Sequence, residues 1–216
     1  KFPSEVTPQM VYNFVNGGAG INALAKQAGA DVFIVDMGVA ADLKELSDAK
    51  KIINKKVDLG TGNIAVGPAM SKAMAKRSIE SGIDIANELC SEYDLLGTGD
   101  MGIGNTTPST AIAAICTGKS VKELAGRGTG LDDEQLLHKV KVIERALEVN
   151  HVDPKDGIDI LAKVGGFEIG GIAGLILGAA SNNTPVLVDG FISTAGALIA
   201  YKIEPFVKDY LIFSHR

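Results

Sequence analysis

Side chains suited to binding or catalysis are most concentrated in the segment GDMGIGNTTP, residues 99–108. Gly102 and Gly104 leave the backbone free to expose its N–H groups, and a helix that begins near Pro108 would add the positive end of its dipole. Such a turn is suited to an anionic group, and an acid, an amide and several hydroxyls lie in the same segment. A glycine-rich turn with a redundant helix cap is the alternative, but the clustering favours a functional site.

The segment GRGTG, residues 126–130, is the second candidate. Its three alternating glycines can curl the backbone around a phosphate, with Arg127 and Thr129 close by. Lys139 follows about two turns into the next predicted helix and could reach the same anion as a point charge. A flexible loop between two helices, beside a surface lysine, explains the same residues and stays open at this point.

Glycines recur at every fourth position, 166, 170, 174 and 178, in the apolar segment GGFEIGGIAGLILG. This spacing places them on one side of a helix, where a neighbouring element can approach closely, so close packing explains the stripe best. Gly165, Gly166 and Glu168 are more ambiguous because they lie at the positive end of that predicted helix.

Short apolar strands alternate with helical segments along the chain, which predicts an α/β protein with a largely parallel sheet. Ligands of such sheets gather at the carboxyl ends of the strands. The predicted strand ends that carry small or polar residues are 36–38, 97–107, 189–193 and 214–215. Local patterns predict helix caps at Thr7, Thr107 and Ser193. Gly82 is the predicted end of another helix.

Composition and missing motifs disfavour several classes of protein. The net charge of −5 and the isoelectric point near 5.2 argue against general nucleic-acid binding. The sequence has no Walker loop, no dinucleotide fingerprint at its first strand–helix turn and no G-x-S-x-G motif. The histidines show no ligand spacing, so we expect neither a metal nor another cofactor. The longest apolar run has 14 residues and includes Glu168. It is too short to span a bilayer, and no secretory signal is visible, so we expect a cytoplasmic protein without a membrane partner.

Five blocks cover nearly the whole chain: GDMGIGNTTPSTAIAA, GRGTGLDD, KVGGFEIGGIAGLILGAA, PVLVDGFISTAGALIA and PSEVTPQMVYNFVNGGAGINALAKQAGA. Together, and in family order, they resemble the nicotinate-nucleotide–dimethylbenzimidazole phosphoribosyltransferase family. The combination is highly specific, whereas any single glycine loop is not.

The resemblance implies transfer of phosphoribose from nicotinate mononucleotide to 5,6-dimethylbenzimidazole in the assembly of the cobalamin nucleotide loop. The products would be α-ribazole 5′-phosphate and nicotinate, with inversion of the anomeric carbon from β to α. The implied fold is a Rossmann-like three-layer α/β domain with a largely parallel sheet, here residues 31–216. Residues 1–30 would be part of a smaller helical domain. The resemblance also implies a homodimer with small-molecule substrates.

Matching to the family implies substrate contacts residue by residue. The phosphate is expected at Gly126, Arg127, Gly128, Thr129, Gly130 and Lys139. Nicotinate and ribose are expected along Met101, Gly102, Gly104, Asn105, Thr106 and Thr107, and further substrate contacts at Asp189 and Ser193. The residues expected to close the nucleotide site are Gly165, Gly166 and Glu168. Gln9 is expected to approach the edge of the benzimidazole.

Asp100 is the expected catalytic residue, through electrostatic stabilisation of an oxocarbenium-like transition state. The family commonly has Glu at this position, so the carboxylate is kept with a reach shorter by one methylene. The resemblance places the family's general-base Glu beyond Arg216, and most of the usual N-terminal helical region before residue 1. A shortened relative that binds a nucleotide or base without turnover is therefore the alternative. A nicotinamide-dependent oxidoreductase is disfavoured because the dinucleotide fingerprint is missing.

Overall fold

The computed structural model describes residues 2–128 and 130–215 and divides them into two compact units. The larger unit comprises Thr61–Asp100 and the chain from Gly104 onward, and the smaller comprises Phe2–Gly60 and Met101–Ile103. The boundary near residue 30 stays a prediction.

The helices are α1 (Val6–Val15), α2 (Gly20–Ala28), α3 (Lys44–Asp48), α4 (Lys72–Leu89), α5 (Thr106–Thr117), α6 (Val121–Leu124), α7 (Asp133–Asn150), α8 (Gly157–Val164), α9 (Phe167–Ser181) and α10 (Phe191–Ile203), followed by a 3₁₀ segment, Pro205–Tyr210. The strands are β1 (Val35–Asp36), β2 (Ile53–Asn54), β3 (Leu96–Gly97), β4 (Val186–Val188) and β5 (Leu211–Phe213). Across the described ranges, no helix combines the length and the hydropathy needed to cross a membrane.

The larger unit contains a sheet in the order β3–β4–β5, and both strand pairs are parallel. Val186 and Val188 of the central strand are fully buried, and α10 packs against this strand. Parallel neighbours must be joined by crossover connections, which here are helical. The predicted α/β class with parallel strands is therefore confirmed.

The strands are shorter than the apolar runs that predicted them. In the run DVFIVDMGV only Val35–Asp36 pairs as a strand. The Asp36 carboxylate accepts hydrogen bonds from the N–H groups of Gly38 (3.0 Å) and Val39 (2.9 Å), which turns the chain out of the strand.

The glycine stripe of α9 packs against α4, as the four-residue spacing predicts. A Cβ added to Gly174 would lie 2.7 Å from the carbonyl carbon of Ile79, and one added to Gly178 would lie 2.7 Å from the Cβ of Ala86. The predicted helix end at Gly82 is wrong, because α4 continues to Leu89. Gly82 instead lets the backbones meet, since a Cβ there would lie 2.9 Å from the carbonyl carbon of Gly171.

The smaller unit contains the parallel pair β1–β2 and its own buried cluster of Val11, Leu43, Leu46 and Ile52. The predicted cap at Thr7 is wrong, because α1 begins at Val6 and Thr7 lies in its first turn. The Thr7 hydroxyl instead accepts a hydrogen bond from the N–H of Ile103 at 3.2 Å. The Thr7 side chain, which the local pattern predicted to cap a helix, therefore binds a backbone group that is distant in sequence.

Candidate functional site

Helix N-termini in the larger unit fall into two groups. Four helices are capped by side chains, those of Ser71 (α4), Ser120 (α6), Asp132 (α7) and Asp156 (α8). Among the described residues, α5, α9 and α10 have no side-chain cap, and their N-cap residues are Asn105, Gly166 and Gly190. The first N–H groups of a helix have no intrahelical partner, so an uncapped start leaves donors available to an anionic or polar ligand.

The start of α5 differs from the prediction because the polar side chains have other partners. The predicted cap at Thr107 is wrong, because α5 begins at Thr106 and Asn105 precedes it in helical conformation. The Asn105 amide donates a hydrogen bond to the Asp100 carboxylate instead of capping the helix. Pro108 falls within the first turn, where its missing N–H costs no helical hydrogen bond.

Asp100 lies between β3 and α5 and is largely buried. Burial, followed by repulsion from the Glu168 carboxylate, raises the pKa of Asp100 from 3.8 to about 7, while the hydrogen bond from Asn105 opposes the rise. A carboxyl group with such a pKa can be ionised near neutral pH only at a cost in free energy. A cationic ligand at this position would recover that cost.

Glu168 lies in the first turn of α9, next to the Gly165–Gly166 pair. Its carboxylate folds back over Gly166, where an added Cβ would lie 2.7 Å from Oε2, so a larger residue at this position would displace the carboxylate. A Cβ on Gly165 would lie 2.5 Å from the carbonyl oxygen of Leu161. Burial raises the pKa of Glu168, and a hydrogen bond from its own backbone N–H opposes the rise. The structure therefore places the Asp100 and Glu168 carboxylates close enough to repel each other.

Lys139 of α7 is buried, with 8% of its surface exposed, so the surface-lysine alternative is wrong. Its ammonium group donates hydrogen bonds to the Thr106 hydroxyl (2.9 Å) and to the Gly126 carbonyl oxygen (3.2 Å). Burial lowers the pKa of Lys139. A Cβ on Gly128 would lie 3.4 Å from the Thr106 hydroxyl and 4.0 Å from the Lys139 ammonium. The GRGTG loop and the start of α5 therefore both lie next to this ammonium group.

The rest of the GRGTG loop keeps its own internal contacts. Gly128 and Gly130 have positive φ angles, 52° and 91°, which glycine adopts without strain. The Arg127 guanidinium forms an ion pair with Asp133 and donates to the Leu131 carbonyl oxygen at 2.9 Å, so it serves its own loop. Thr129 lies outside the described residues.

Asp189 and Ser193 follow the carboxyl end of β4. The Asp189 backbone N–H donates to the Thr98 hydroxyl at 3.2 Å, and its carboxylate lies 3.2 Å from Nε2 of His215. Ser193 is buried in the first turn of α10, which begins at Phe191, so its predicted role as a cap is wrong. Thr98 and His215 lie in the predicted strand ends 97–107 and 214–215, but neither was assigned a substrate contact of its own.

Three predicted contacts belong to the smaller unit. Gln9 is exposed on α1, and Met101 and Gly102 precede Ile103, whose N–H binds Thr7 of the same helix. The strand-to-helix segment thus leaves the larger unit at Met101 and returns at Gly104, where φ is 97°.

A cavity of about 380 Å³ lies in the smaller unit at the carboxyl ends of β1 and β2. The Lys56 ammonium lies 3.2 Å from the Asp36 carboxylate and donates to the carbonyl oxygens of Val39 (2.8 Å) and Ala41 (2.6 Å). The charged and polar groups beside the cavity therefore pair with one another, and this pairing explains their presence there without a ligand. The described part of the chain contains no cluster of three metal-ligating side chains.

The model of a family described as phosphoribosyltransferase matches residues 1–216. A nicotinate-nucleotide–dimethylbenzimidazole phosphoribosyltransferase from Desulfotalea psychrophila is 67% identical over 216 residues, which are 100% of this chain and 61% of the relative. The protein of the same name from Syntrophotalea carbinolica is 56% identical over 214 residues, 99% of this chain and 61% of that relative. The chain therefore spans about three fifths of the length of these relatives.

Solved structures show the same likeness. The crystal structure of CobT from Thermus thermophilus superposes with a TM-score of 0.93 at 40% identity, covering 99% of this chain and 63% of that one. This likeness agrees with the α/β fold described above.

Proposed function

Because the chain belongs to the phosphoribosyltransferase family, we propose that this protein transfers phosphoribose from nicotinate mononucleotide to 5,6-dimethylbenzimidazole. The products are α-ribazole 5′-phosphate and nicotinate, which serve assembly of the cobalamin nucleotide loop. The observation that carries the proposal is the convergence of the GRGTG loop, the start of α5 and the buried ammonium of Lys139.

The 5′-phosphate binds where Lys139 now contacts Thr106 and Gly126. Both of these hydrogen-bond acceptors are neutral oxygens, so the buried ammonium gains a charge-assisted partner when a phosphate arrives. At the start of α5 the Thr107 N–H donates to the Gly104 carbonyl oxygen at 3.2 Å and Pro108 has no N–H, so the Thr106 N–H and the turn at Gly128 supply the further donors to the same anion. Arg127 stabilises the loop through its ion pair with Asp133 and its hydrogen bond to the Leu131 carbonyl oxygen, and Gly130 permits the turn through its positive φ.

Asp100 provides the electrostatic contribution to the reaction. The bond between C1′ and the pyridine nitrogen of nicotinate breaks, and positive charge develops at C1′ and the ring oxygen. A preorganised carboxylate beside that charge stabilises the transition state more than the ground state. Burial, together with repulsion from Glu168, makes the Asp100 anion costly without a cation, so the carboxylate interacts most favourably when the positive charge is largest.

A benzimidazole ring nitrogen forms the new bond to C1′ from the opposite side, which inverts the configuration from β to α. The proton on the other ring nitrogen then leaves to a general base, which the family resemblance assigns to a Glu outside these 216 residues. Gly165, Gly166 and Glu168 close the nucleotide site, Asp189 and Ser193 line it, and Gln9 approaches the benzimidazole.

The experiment incubates the protein at its natural length with nicotinate mononucleotide and dimethylbenzimidazole and analyses the products by liquid chromatography and mass spectrometry. We expect α-ribazole 5′-phosphate and nicotinate in equal amounts, and a lower kcat for Asp100→Asn. Calorimetric binding of the nucleotide without any product would favour the alternative of a binding protein. If Asp100→Asn forms product at the wild-type kcat, the proposed electrostatic role of Asp100 is wrong.

We also propose a homodimer, a cytoplasmic location and a helical segment over residues 1–30 next to an α/β domain over 31–216. The family resemblance supports the homodimer and the division near residue 30, whereas the cytoplasmic location is the expectation drawn from the sequence. Sedimentation equilibrium, cell fractionation and limited proteolysis test them in turn. A monomer at micromolar concentration would contradict the homodimer. Enrichment outside the cytoplasm would contradict the location, and first cleavage far from residue 30 would contradict the division of the chain.

A further inference from the structure

The segment that carries Asp100 has little regular structure of its own. It runs from Thr98 after β3 to Asn105 before α5, and glycine occupies positions 99, 102 and 104. Glycine populates a wider range of backbone conformations than other residues, so local preferences do not hold Asp100 in one place. The position of its carboxylate therefore depends on the contacts that the segment makes with the rest of the chain.

The first of these contacts lies two residues before Asp100, at Thr98. The Thr98 N–H donates a hydrogen bond to the Leu187 carbonyl oxygen at 2.9 Å, and the Thr98 hydroxyl accepts one from the Asp189 N–H at 3.2 Å. Leu187 belongs to β4 and Asp189 directly follows it. The sheet therefore fixes the chain where it enters the segment.

The second contact lies three residues after Asp100, at Ile103. Residues Met101–Ile103, which we call the tip, pack with the smaller unit. The Ile103 N–H donates a hydrogen bond to the Thr7 hydroxyl of α1 at 3.2 Å. That helix is itself held in place, because its Val11 belongs to the buried cluster of the smaller unit. Thr7 therefore offers the tip an acceptor on a fixed element.

The third contact lies within the segment and depends on the tip. The Asn105 amide donates a hydrogen bond to the Asp100 carboxylate. Asn105 directly follows Gly104, whose φ of 97° turns the chain back from the tip. The place where the tip is held therefore sets both ends of the hydrogen bond between Asn105 and Asp100.

We propose that Thr7 is a positioning residue for Asp100. Its hydroxyl holds the tip on α1 and thereby keeps the Asp100 carboxylate beside the anomeric carbon, where positive charge develops in the proposed reaction. Thr7 acts through Ile103 and the backbone that joins Ile103 to Asp100. A misplacement of about 1 Å can lower a catalytic rate about a hundredfold, so the loss of one such contact is measurable. The catalytic consequence rests on the proposed function, whereas the placement of Asp100 by Thr7 does not.

The first test compares variants of the protein at its natural length in the phosphoribosyl transfer assay. Thr7→Val keeps the shape of the side chain and removes the acceptor, whereas Thr7→Ser keeps the acceptor. We expect Thr7→Val to lower kcat about tenfold or more. The dissociation constant of nicotinate mononucleotide should stay within about twofold of the wild type, since the phosphate binds at Lys139. Thr7→Ser should restore kcat. Thr61→Val is the matched control, because it makes the same exchange at an exposed threonine and should leave kcat unchanged.

The second test needs no turnover and follows the titration of the Asp100 carboxyl carbon by NMR. Burial is the largest cause of the raised pKa of Asp100, about 7 against an ordinary 3.8, and repulsion from Glu168 adds to it. When Thr7→Val releases the tip from α1, Asp100 becomes more exposed and its pKa should fall toward 3.8. Thr7→Ser and Thr61→Val should keep the wild-type midpoint.

A further variant guards against an effect of valine on α1 itself. Thr7→Ala removes the same acceptor with the residue that most favours a helix, so it should reproduce both changes. Circular dichroism verifies that the variants keep the fold.

Three results would overturn the proposal. The first is a wild-type midpoint for Asp100 in Thr7→Val and Thr7→Ala, and the second is a failure of Thr7→Ser to keep that midpoint. The third is a shifted midpoint with the wild-type kcat, because the position of Asp100 would then not matter for the reaction. Absence of product from every protein, the wild type included, would instead contradict the proposed function, and the titration would still test the role of Thr7.

Discussion

Replacing Asp100 with Asn should stabilise the protein strongly at alkaline pH and less at acid pH. Burial and repulsion from Glu168 raise the pKa of Asp100 from 3.8 to about 7. Between these two values the unfolded chain has released its proton while the folded state retains it. The free energy of unfolding therefore falls as the pH rises from about 4 to about 7. Asn carries no charge and keeps an oxygen that can accept the hydrogen bond from Asn105, so the variant avoids this loss.

The size of the effect follows from the two pKa values of Asp100. With 3.8 in the unfolded chain and about 7 in the folded state, linkage gives a loss of about 4 kcal/mol at pH 8 and about 2 kcal/mol at pH 5. The advantage of Asp100→Asn over the wild type should therefore grow by about 2–3 kcal/mol between pH 5 and pH 8. Carboxylates that do not interact with Asp100 cancel in this difference because both proteins contain them.

The assay is urea-induced unfolding of both proteins at pH 5 and pH 8, followed by far-UV circular dichroism. Asp94→Asn serves as a matched control, because Asp94 is exposed shortly before β3. We expect its unfolding free energy to differ from that of the wild type by the same small amount at both pH values. An advantage of Asp100→Asn that does not change with pH would refute the reasoning, since the charge would then impose no folded-state cost.

Two further predictions follow from the same contacts. Glu168→Gln removes a negative charge and should lower the pKa of Asp100 below about 7, measured as the titration of its carboxyl carbon by NMR; an unchanged midpoint would exclude the repulsion. Gly174→Ala should lower the free energy of unfolding by about 1–3 kcal/mol, because its methyl group would press on the Ile79 carbonyl of α4. Gly20→Ala is its control in chemical denaturation, since a Cβ at Gly20 meets nothing within 4 Å. Equal effects of the two alanines would contradict the close helix contact.

The sequence predicted the parts of the candidate site that have local signals. Glycine loops and strand ends are short patterns, and the meeting of the GRGTG loop with Lys139 agrees with the spacing along α7. The burial of Lys139 could not be predicted from its neighbours in the sequence. Its burial depends on Thr106 and Gly126, which come from another part of the chain.

Helix boundaries were the least predictable feature, because distant partners compete for the polar side chains. Thr7 has the pattern of a cap, but its hydroxyl binds the N–H of Ile103. Asn105 would also suit a cap, but its amide binds Asp100. Gly82 has the pattern of a helix end, but it lies inside α4 because the backbone of α9 approaches there. For Thr7 and Gly82 a tertiary contact overrides the local preference, and for Asn105 a nearby carboxylate does so.

The electrostatics of Asp100 also had no sequence signal. Its carboxylate comes from the segment between β3 and α5 and that of Glu168 from the first turn of α9, and only the fold brings them into repulsion. The strongly raised pKa of Asp100 is therefore a property of its burial between β3 and α5 and of the nearby Glu168 carboxylate, not of the motif that contains Asp100.

The central claim is that Lys139 forms the phosphate site of a mononucleotide-binding unit. Calorimetric titration with nicotinate mononucleotide at moderate salt tests it most directly, comparing the wild type with Lys139→Ala and with Lys141→Ala, an exposed neighbour on α7. Loss of a charge-assisted hydrogen bond costs about 1.5–3 kcal/mol, so we expect Lys139→Ala to weaken binding about tenfold or more. Lys141→Ala should bind like the wild type. Equal affinities for all three proteins would contradict the claim.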